Sequence, residues 1–200
     1  MTNDRMVALI TGANRGIGLE TARQLAEIGI TVIVGARTLA AACHAAEILE
    51  GEGLSVFPVQ LDVTNPEDRA AAARKIDEKY GKLDILINNA GVGADGGMFA
   101  AKTVETTEQE LQRVFGTNLF SVVAVTRAFL PLLKKSSAGR IVNLSSILGS
   151  LTLQADLHGP LASFKTFAYD ASKSALNAFT IHLAAELNDT GIKVNSAHPG

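Results

Sequence analysis

The sequence predicts an α/β fold in which a doubly wound parallel sheet lies between two layers of helices. Short apolar segments alternate along the chain with segments of helical periodicity, which is typical of strand–helix–strand units. Residues 85–87 and 141–142 are apolar without alternation, as expected for parallel strands that are covered on both faces. The 200 residues, 47% of them hydrophobic, suit one three-layer α/β/α domain over residues 1–200.

The strands are expected near residues 6–11, 31–35, 55–61, 83–88, 140–145 and 192–197, with helices in the intervals. Asn65 and Pro66 are typical of a helix start, because asparagine caps a first turn and proline fits its first position. Ligands of open parallel sheets bind outside the carboxyl ends of the strands. The residues at these ends of five predicted strands are Thr11 with Gly12, Arg37, Asp62, Asn89 and Ser146.

A glycine turn connects the first strand to the first helix. Residues 12–18 read Gly-Ala-Asn-Arg-Gly-Ile-Gly, and Ile17, Thr21, Leu25 and Ile28 are spaced to form one buried stripe of the following helix. Glycines let the backbone approach a pyrophosphate, which binds the N–H groups at the positive end of that helix. The alternative is a turn that binds nothing. The strand before it and the helix after it favour phosphate binding.

Two arginines favour NADP(H) over NAD(H). An acid that binds the ribose 2′-hydroxyl is expected about 20 residues beyond the glycines, and no acid lies there. Arg37 follows the second strand instead, and Arg15 lies inside the glycine turn. Guanidinium groups suit a 2′-phosphate, which an aspartate would repel. The alternative is that both arginines are solvated surface charges.

Composition excludes several classes of function. The formal net charge of −2 gives no basic surface for nucleic acid. The single cysteine, Cys43, excludes an internal disulfide and fits a reducing compartment. Because the sequence also shows no signal-peptide pattern, a cytoplasmic protein is expected. Residues 119–133 are apolar but carry Arg127 and fall short of a membrane span. No metal site is expected, because four histidines lack ligand spacing: His44, His158, His182 and His198.

Tyr169 and Lys173 form a candidate proton-donating pair. Residues four apart on a helix share one face, so the phenol and the ammonium can point into the same cleft. A tyrosine titrates near pH ~10, and a neighbouring cation is expected to lower its pKa toward neutrality. Asp170 points about 100° away on the same helix, which predicts a solvated or capping charge.

With these residues in view, the chain resembles the single-domain short-chain dehydrogenases/reductases, and among them the NADP-dependent carbonyl reductases. Residues 11–18 match the family's TGxxxGxG turn, and residues 88–91, Asn-Asn-Ala-Gly, match its NNAG element. The resemblance implies a Rossmann-like fold and spans the whole chain. The other matching positions are residues 61–63, Asn118, Ser145 and Ser146, Tyr169 with Lys173, and residues 194–200.

The resemblance implies a role for each of four catalytic residues. Tyr169 would donate the proton, and Lys173 would lower its pKa and bind the nicotinamide ribose. Ser146 would donate a hydrogen bond to the substrate oxygen, with Ser145 as the alternative hydroxyl. Asn118 would hold a water molecule that links Lys173 to solvent. The implied cofactor-binding residues are Gly12, Asn14, Arg15, Gly16, Ile17, Gly18, Arg37, Asp62, Val63, Asn89, Ala90, Gly91, Tyr169, Lys173, Pro199 and Gly200.

Two departures from the family pattern affect the substrate side. Tyr169 lies twenty-three positions after Ser146, about twice the common spacing, and the extra segment at residues 151–167 is expected beside the substrate cleft. Family members continue past the position of Gly200 through a substrate-covering loop, a helix and a final strand. Either this is a partial chain or the covering segment is missing, and the first is favoured because an uncovered cleft would expose hydride chemistry to water.

These expectations describe an enzyme that uses NADPH to reduce a small ketone or aldehyde to an alcohol, reversibly, with Tyr169 as the general acid. The alternatives are a non-catalytic protein that senses NADP(H) and an NAD-linked alcohol dehydrogenase. Family members often form homodimers or homotetramers through the helices that carry Arg127 and residues 175–185. The segment at residues 151–167 could cover the second helix and leave a monomer, so the oligomeric state stays open.

Overall fold

The computed structural model describes residues 5–95 and 102–199, and it confirms the predicted sheet. Six parallel strands pair in the order β3-β2-β1-β4-β5-β6, so the chain winds outward from β1 in both directions. Each strand lies within about two residues of its predicted bounds. The strands are β1 Val7–Ile10, β2 Thr31–Ala36, β3 Val56–Gln60, β4 Ile85–Asn88, β5 Arg140–Leu144 and β6 Lys193–Ala197.

Helices cover both faces of the sheet because neighbouring strand residues point in opposite directions. Leu9 packs into a buried cluster with Phe129, whereas Ile10 packs into a second cluster with Ala22 and Leu49. This arrangement gives the predicted three-layer α/β/α fold. The helices are α1 Gly16–Glu27, α2 Leu39–Gly51, α3 Pro66–Tyr80, α4 Glu108–Phe115, α5 Ser121–Leu133, α6 Leu151–Ala155 and α7 Phe167–Glu186.

The buried stripe of α1 differs from the predicted one. Ile17 is 49% exposed and Ile28 is 73% exposed, whereas Gly18, Ala22 and Ala26 are buried. Gly18 has no space for a side chain, and the partly buried Leu19 and Leu25 pack beside Ala22 and Ala26 against the same cluster. The predicted spacing therefore identified the helix but placed its inner face one position too early.

Residues 119–133 belong to a longer helical stretch, Glu108–Leu133, which is long and apolar enough to cross a membrane by length and composition. It consists of α4, a π-helical turn at Gly116–Phe120, and α5. Its inner face carries Val125 and Phe129, which are fully buried against the sheet. The stretch packs as a core helix of the fold.

Capping and a buried carboxylate fix the edges of these elements. Asn65 caps α3 as predicted, since its Oδ1 accepts hydrogen bonds from the backbone N–H groups of Glu67 at 2.8 Å and Asp68 at 3.1 Å. The buried Asp84 accepts a hydrogen bond from the N–H of Val7 at 2.8 Å and is paired with Lys82 at 3.0 Å. This carboxylate joins the start of β1 to the segment that precedes β4.

Candidate active site

The predicted site residues lie at the carboxyl edge of the sheet, where β1, β2, β4 and β5 end side by side. The glycine turn follows β1, and Arg37 follows β2. Asn89 follows β4, and Ser146 lies two residues beyond β5. The sheet order places β1 between β2 and β4, which brings these four chain segments to one edge.

The glycine turn has the backbone that its residues require. Gly12 and Gly16 adopt positive φ values of 63° and 57°, in the left-handed region that favours glycine. Gly18 has no room for a side chain, because a Cβ there would lie 2.5 Å from Asn89 Nδ2 and 2.8 Å from Gly12 O. The inner side of the turn is therefore packed directly onto the segment after β4.

Asn89 holds the turn in place. Its Nδ2 donates to the carbonyl oxygens of Thr11 at 2.8 Å and Gly12 at 3.1 Å. In return, the Thr11 hydroxyl oxygen accepts from the backbone N–H groups of Asn89 and Ala90, both at 3.0 Å. Asn89 and Ala90 thus build the wall of the turn, and the asparagine amide is used for this support.

The start of α1 offers an environment suited to an anion. Arg15 occupies the N-cap position without a side-chain cap, and no acidic residue lies in the first turn. The free N–H groups and the positive end of the helix are therefore open to a phosphate. Arg15 and Arg37 are both exposed, and no side-chain hydrogen bond to either occurs in the described parts of the chain. Asn14 is half-buried within the same turn.

The remaining predicted cofactor-binding residues differ in which of their groups can contact a ligand. Asp62 is partly engaged, since one carboxylate oxygen accepts from the N–H and hydroxyl of Thr64 at 2.9 and 2.7 Å. The Val63 side chain is buried in the core, which leaves its backbone as the group that can face a ligand. Pro199 is exposed beyond β6, whereas Gly200 lies outside the described residues.

The two serines after β5 have different partners. The Ser145 hydroxyl donates to Asn177 Oδ1 at 2.7 Å, so it serves to hold the strand end against α7. The Ser146 hydroxyl lies near enough to the phenol of Tyr169 to lower the pKa of that phenol. It also accepts from the N–H of Leu148 at 3.2 Å, at the start of a 3₁₀ turn. The structure therefore brings Ser146, and not Ser145, to the tyrosine.

Lys173 is buried beside Tyr169 in α7. Its ammonium donates to the carbonyl oxygen of Leu144 at 2.7 Å and lies 5.5 Å from the centroid of the Tyr169 ring. The predicted sharing of one helix face is thus seen. Gly91 approaches the same group, because a Cβ at that position would lie 3.8 Å from Lys173 Nζ. This proximity connects the segment after β4 to the tyrosine and lysine pair.

The expected depression of the tyrosine pKa is not found in this structure. Burial raises the pKa of Tyr169 above its ordinary value of about 10; the hydrogen bond from Ser146 lowers it, and the charge of Asp170 raises it. Burial also lowers the pKa of Lys173 to about 8. Both shifts favour neutral side chains, because removing a charge from water is costly. In the resting protein the phenol of Tyr169 is therefore protonated and can act as a proton donor.

Asn118 lies in the π-helical turn between α4 and α5 and is buried. Its Oδ1 accepts from the N–H of Val92 at 2.9 Å, while its Nδ2 donates to the Val92 carbonyl at 2.9 Å and to the Ser172 hydroxyl at 3.1 Å. Such π-turns often occur at functional sites. The amide ties the segment after β4 to α7, and its role toward a water molecule stays a prediction.

Sequence reasoning missed the contacts of the segment between Ser146 and Tyr169. Asp170 is 9% exposed and accepts hydrogen bonds from Thr166, so the solvated alternative was wrong and the capping alternative was right. Gln154 of α6 joins this contact. A threonine preceding an acid by one helical turn was the available signal. Ile181 stays 69% exposed, so the segment leaves that side chain of α7 open.

A cavity of about 590 Å³ extends from Ser146 along α7 and β6. Its wall combines apolar side chains with a few hydroxyl and amide groups. Ile147 and Leu153 supply part of the apolar wall. Leu153 is the residue of the segment 151–167 that lines this cavity, whereas Tyr169 and Lys173 do not line it, so the position of that segment beside the substrate stays a prediction.

A doubly wound sheet with a glycine turn at one strand end and a serine–tyrosine–lysine cluster two strands away defines a nucleotide-dependent oxidoreductase. Residues 6–200 match the family model described as short chain dehydrogenase. The chain therefore belongs to the short-chain dehydrogenase family.

Relatives and solved structures support this assignment. The chain is 37% identical to the short-chain dehydrogenase anuI of Penicillium roqueforti, covering 97% of this chain and 77% of the relative. It is 34% identical to the 3-oxoacyl-(acyl-carrier-protein) reductase FabG of Vibrio cholerae, covering 100% of this chain and 75% of that one. An actinorhodin polyketide ketoreductase variant solved with NADPH superposes with a TM-score of 0.84 at 35% identity, covering 98% of this chain and 70% of that one.

Proposed function

We propose that this protein uses NADPH to reduce a ketone to a secondary alcohol. The observation that carries the proposal is the cluster beside the end of β5. The buried Lys173 ammonium lies 5.5 Å from the Tyr169 ring centroid, and the Ser146 hydroxyl is near enough to lower the pKa of the Tyr169 phenol. A reduction needs a proton donor and a hydrogen-bond donor that converge on one oxygen atom. Two neighbouring hydroxyl groups at the edge of a nucleotide-binding sheet offer that arrangement.

The proposed roles follow from these positions. Ser146 would donate a hydrogen bond to the carbonyl oxygen and align it against Tyr169. Tyr169 would transfer its proton to that oxygen as negative charge develops. Lys173 would stabilise the resulting phenolate. When bound, NADPH would supply the hydride for the carbonyl carbon. Hydride and proton together convert the ketone to the alcohol, and solvent must return a proton to Tyr169.

The cofactor fits the residues present. The open N–H groups of α1 suit a pyrophosphate, and Gly18 allows the close helix–strand approach that such a turn needs. Arg15 and Arg37 would bind the 2′-phosphate, since both are exposed and basic. The actinorhodin polyketide ketoreductase was solved with NADPH, and a similar metagenomic short-chain oxidoreductase was solved in complex with NADP. Both structures support the same cofactor class.

The substrate class proposed here is a ketoacyl compound. The relatives include the ketoacyl reductase of the monensin polyketide synthase of Streptomyces virginiae and 3-oxoacyl reductases, which favours this class over simple aldehydes. The apolar wall formed by Ile147 and Leu153 suits the acyl chain of such a substrate. This substrate class differs from the simple ketones and aldehydes of the carbonyl reductases and alcohol dehydrogenases that the sequence indicated.

Replacing Tyr169 by phenylalanine tests the proposal. The substitution removes one oxygen and leaves the ring packing, so we expect NADPH oxidation with 3-oxoacyl thioesters to fall at least about a thousandfold while NADPH binding is retained. Tyr80→Phe is the matched control, because Tyr80 is the only other tyrosine and packs against Phe57. Full turnover by Tyr169→Phe would remove the proposed acid. A wild-type protein that binds NADPH yet reduces no carbonyl in a broad panel would instead support the sensing alternative.

The proposal includes a cytoplasmic location, which the single cysteine supports through its fit to a reducing compartment.

Self-association is proposed through the outer face of α7. Ile181 there is 69% exposed, and an unpaired large apolar side chain on a core helix suits a contact with a second copy. Mass determination in solution would test this part.

A further inference from the structure

The segment after β4 passes the candidate site without belonging to a strand or a helix. It consists of residues 91–95, and its backbone N–H and C=O groups therefore need partners from other parts of the chain. The position of this segment matters for the site. A Cβ on Gly91 would lie 3.2 Å from Asn118 Oδ1 and 3.8 Å from Lys173 Nζ, so a small displacement of the segment changes how Gly91 lies against both groups.

Two residues of α4 bind the far end of this segment. Arg113 donates to the Gly93 carbonyl at 3.0 Å and to the Asp95 carboxylate at 2.6 Å. Glu110 accepts from the N–H of Asp95 at 2.8 Å. Residues three apart on a helix share one face, so both side chains reach the same stretch of backbone. Glu110 and Arg113 together are called the α4 clamp.

The π-helical turn continues these contacts toward the site. Arg113 and Asn118 are five residues apart, which on a regular α-helix would place their side chains about 140° apart. The turn at Gly116–Phe120 has the wider i→i+5 bonding pattern, and both side chains reach the one segment. Asn118 binds the N–H and the carbonyl of Val92, each at 2.9 Å. The segment is thus held by side chains along its length from Val92 onward.

We propose that Arg113, supported by Glu110, is a positioning residue that holds residues 91–95 against the site and thereby sets how tightly NADPH binds. The proposal rests on the proposed function, because it takes Ala90, Gly91 and Lys173 as groups that contact the cofactor. Its new element is the assignment of this role to an exposed ion pair on α4, outside the site. A protein whose binding-competent state is only partly populated binds its ligand more weakly by that fraction.

The exposure of the α4 clamp separates its effect on binding from its effect on folding. The side chains of Arg113 and Asp95 are 41% and 68% exposed. Exposed ion pairs contribute little to the stability of a whole fold. The same contacts act strongly on residues 91–95, because that segment has no backbone ladder of its own. Loss of the Arg113 side chain is therefore expected to release the segment and to leave the fold intact.

Substitutions of Arg113 in the full chain test the effect on binding. Arg113→Met keeps the apolar stem and removes the donors, so NADPH affinity, titrated by the fluorescence of NADPH itself, should fall roughly 3- to 10-fold. The melting temperature should fall by less than about 4 °C. Arg113→Lys keeps one charged donor and should recover part of the affinity.

Lys135→Met is the matched control. Lys135 lies 2.7 Å from Asp77, and the two side chains are 49% and 50% exposed, so the substitution breaks an ion pair of similar length and exposure. Lys135 follows α5 and precedes β5, at the opposite edge of the sheet from the site. Its loss should leave NADPH affinity unchanged.

Amide hydrogen exchange measures the position of the segment without cofactor or substrate. The N–H groups of Val92 and Asp95 are both bonded to side chains. Arg113→Met should speed their exchange at least about threefold, since local opening of the segment exposes both groups. Glu110→Met removes the acceptor of the Asp95 N–H and should speed exchange at that amide, whereas Lys135→Met should change neither.

Weaker NADPH binding together with faster exchange in Arg113→Met, partly restored by Arg113→Lys, would support the proposal. Unchanged exchange would overturn it, and so would faster exchange with unchanged NADPH affinity. An equal loss of affinity in Lys135→Met would also overturn it, because the effect would then follow from the loss of any surface cation. A wild-type protein that shows the expected changes but reduces no ketone would contradict the proposed reaction alone, so the two failures are distinguishable.

Discussion

Gly149 offers the sharpest test of how the segment after Ser146 controls the candidate site. It ends the 3₁₀ turn Ile147–Gly149, and its carbonyl accepts from the Ser174 hydroxyl at 3.0 Å. A Cβ at this position would lie 2.8 Å from the carbonyl carbon of Lys173 and 2.9 Å from its Cβ. Its φ is not positive, so an alanine is compatible with the backbone and the effect comes from space alone.

The expected magnitude follows from this overlap. Carbon atoms pack at about 3.5–4.0 Å, so Gly149→Ala must move the turn and Lys173 apart by at least roughly half an ångström. Overpacking of this kind costs about 1–3 kcal/mol, which lowers the melting temperature by roughly 2–12 °C in a chain of this size. A misplacement of about 1 Å can cost 100-fold in rate, so we expect kcat/KM to fall roughly tenfold.

Thermal denaturation and NADPH-dependent ketone reduction measure the two effects. Gly51→Ala is the matched control, since a Cβ there meets nothing within 4 Å and the residue ends α2. Alanine is the better helix former, so the control should keep or slightly raise the melting temperature and leave kcat/KM unchanged. If Gly149→Ala matched the control in both measurements, the contact between this turn and Lys173 would not control the site.

Three further perturbations test the charges of the fold and the site. Arg37→Asp should weaken NADPH binding roughly 10- to 100-fold and NADH binding much less, because it removes a charged hydrogen bond to the 2′-phosphate. Fluorescence titrations measure both affinities. Equal losses for the two cofactors would contradict the role of Arg37. The kcat/KM for NADPH should fall as pH rises through about 8, where the lowered pKa of Lys173 makes its amine neutral, and a profile flat to about pH 10 would contradict the role of the ammonium. Asp84→Asn should cost about 1–3 kcal/mol of unfolding free energy at pH 7. Burial raises the pKa of Asp84, but hydrogen bonds from Ser136, Val7 and Lys82 outweigh it and lower that pKa, so the stabilisation is present above about pH 4 and lost as pH falls through the lower folded value. Urea titrations should show the difference between wild type and Asp84→Asn shrinking toward pH 3, and an equal difference at both pH values would refute this account.

The sheet and the location of the site could be predicted because both follow from local patterns. A strand such as Thr31–Ala36 is apolar along its length, and a parallel sheet aligns its carboxyl ends at one edge. The glycine turn is equally local, since its shape depends on residues that follow each other in the chain. The sharing of one helix face by Tyr169 and Lys173 could be predicted for the same reason, because it follows from their spacing of four residues.

What could not be predicted depends on contacts between distant segments. The buried residues of α1 are Gly18, Ala22 and Ala26, and such small residues are not distinguished by the spacing of large apolar side chains such as Ile17 and Leu25. The burial of Asp170 depends on Gln154, sixteen residues earlier, being folded back by a short helix. A helix of five residues such as Leu151–Ala155 carries little pattern of its own, and tertiary contacts decide whether it forms.

The pair of Tyr169 and Lys173 shows why spacing alone predicts position better than chemistry. Their spacing placed both groups in one cleft, but the same burial raises the tyrosine pKa and lowers that of the lysine. At neutral pH the phenol therefore keeps its proton, while the lysine, with a pKa of about 8, is still mostly an ammonium. As the proton leaves, negative charge develops beside that cation in a poorly hydrated cleft, where their attraction is stronger than in water. Lys173 would thus act on the phenolate formed during proton transfer, and not by ionising Tyr169 beforehand.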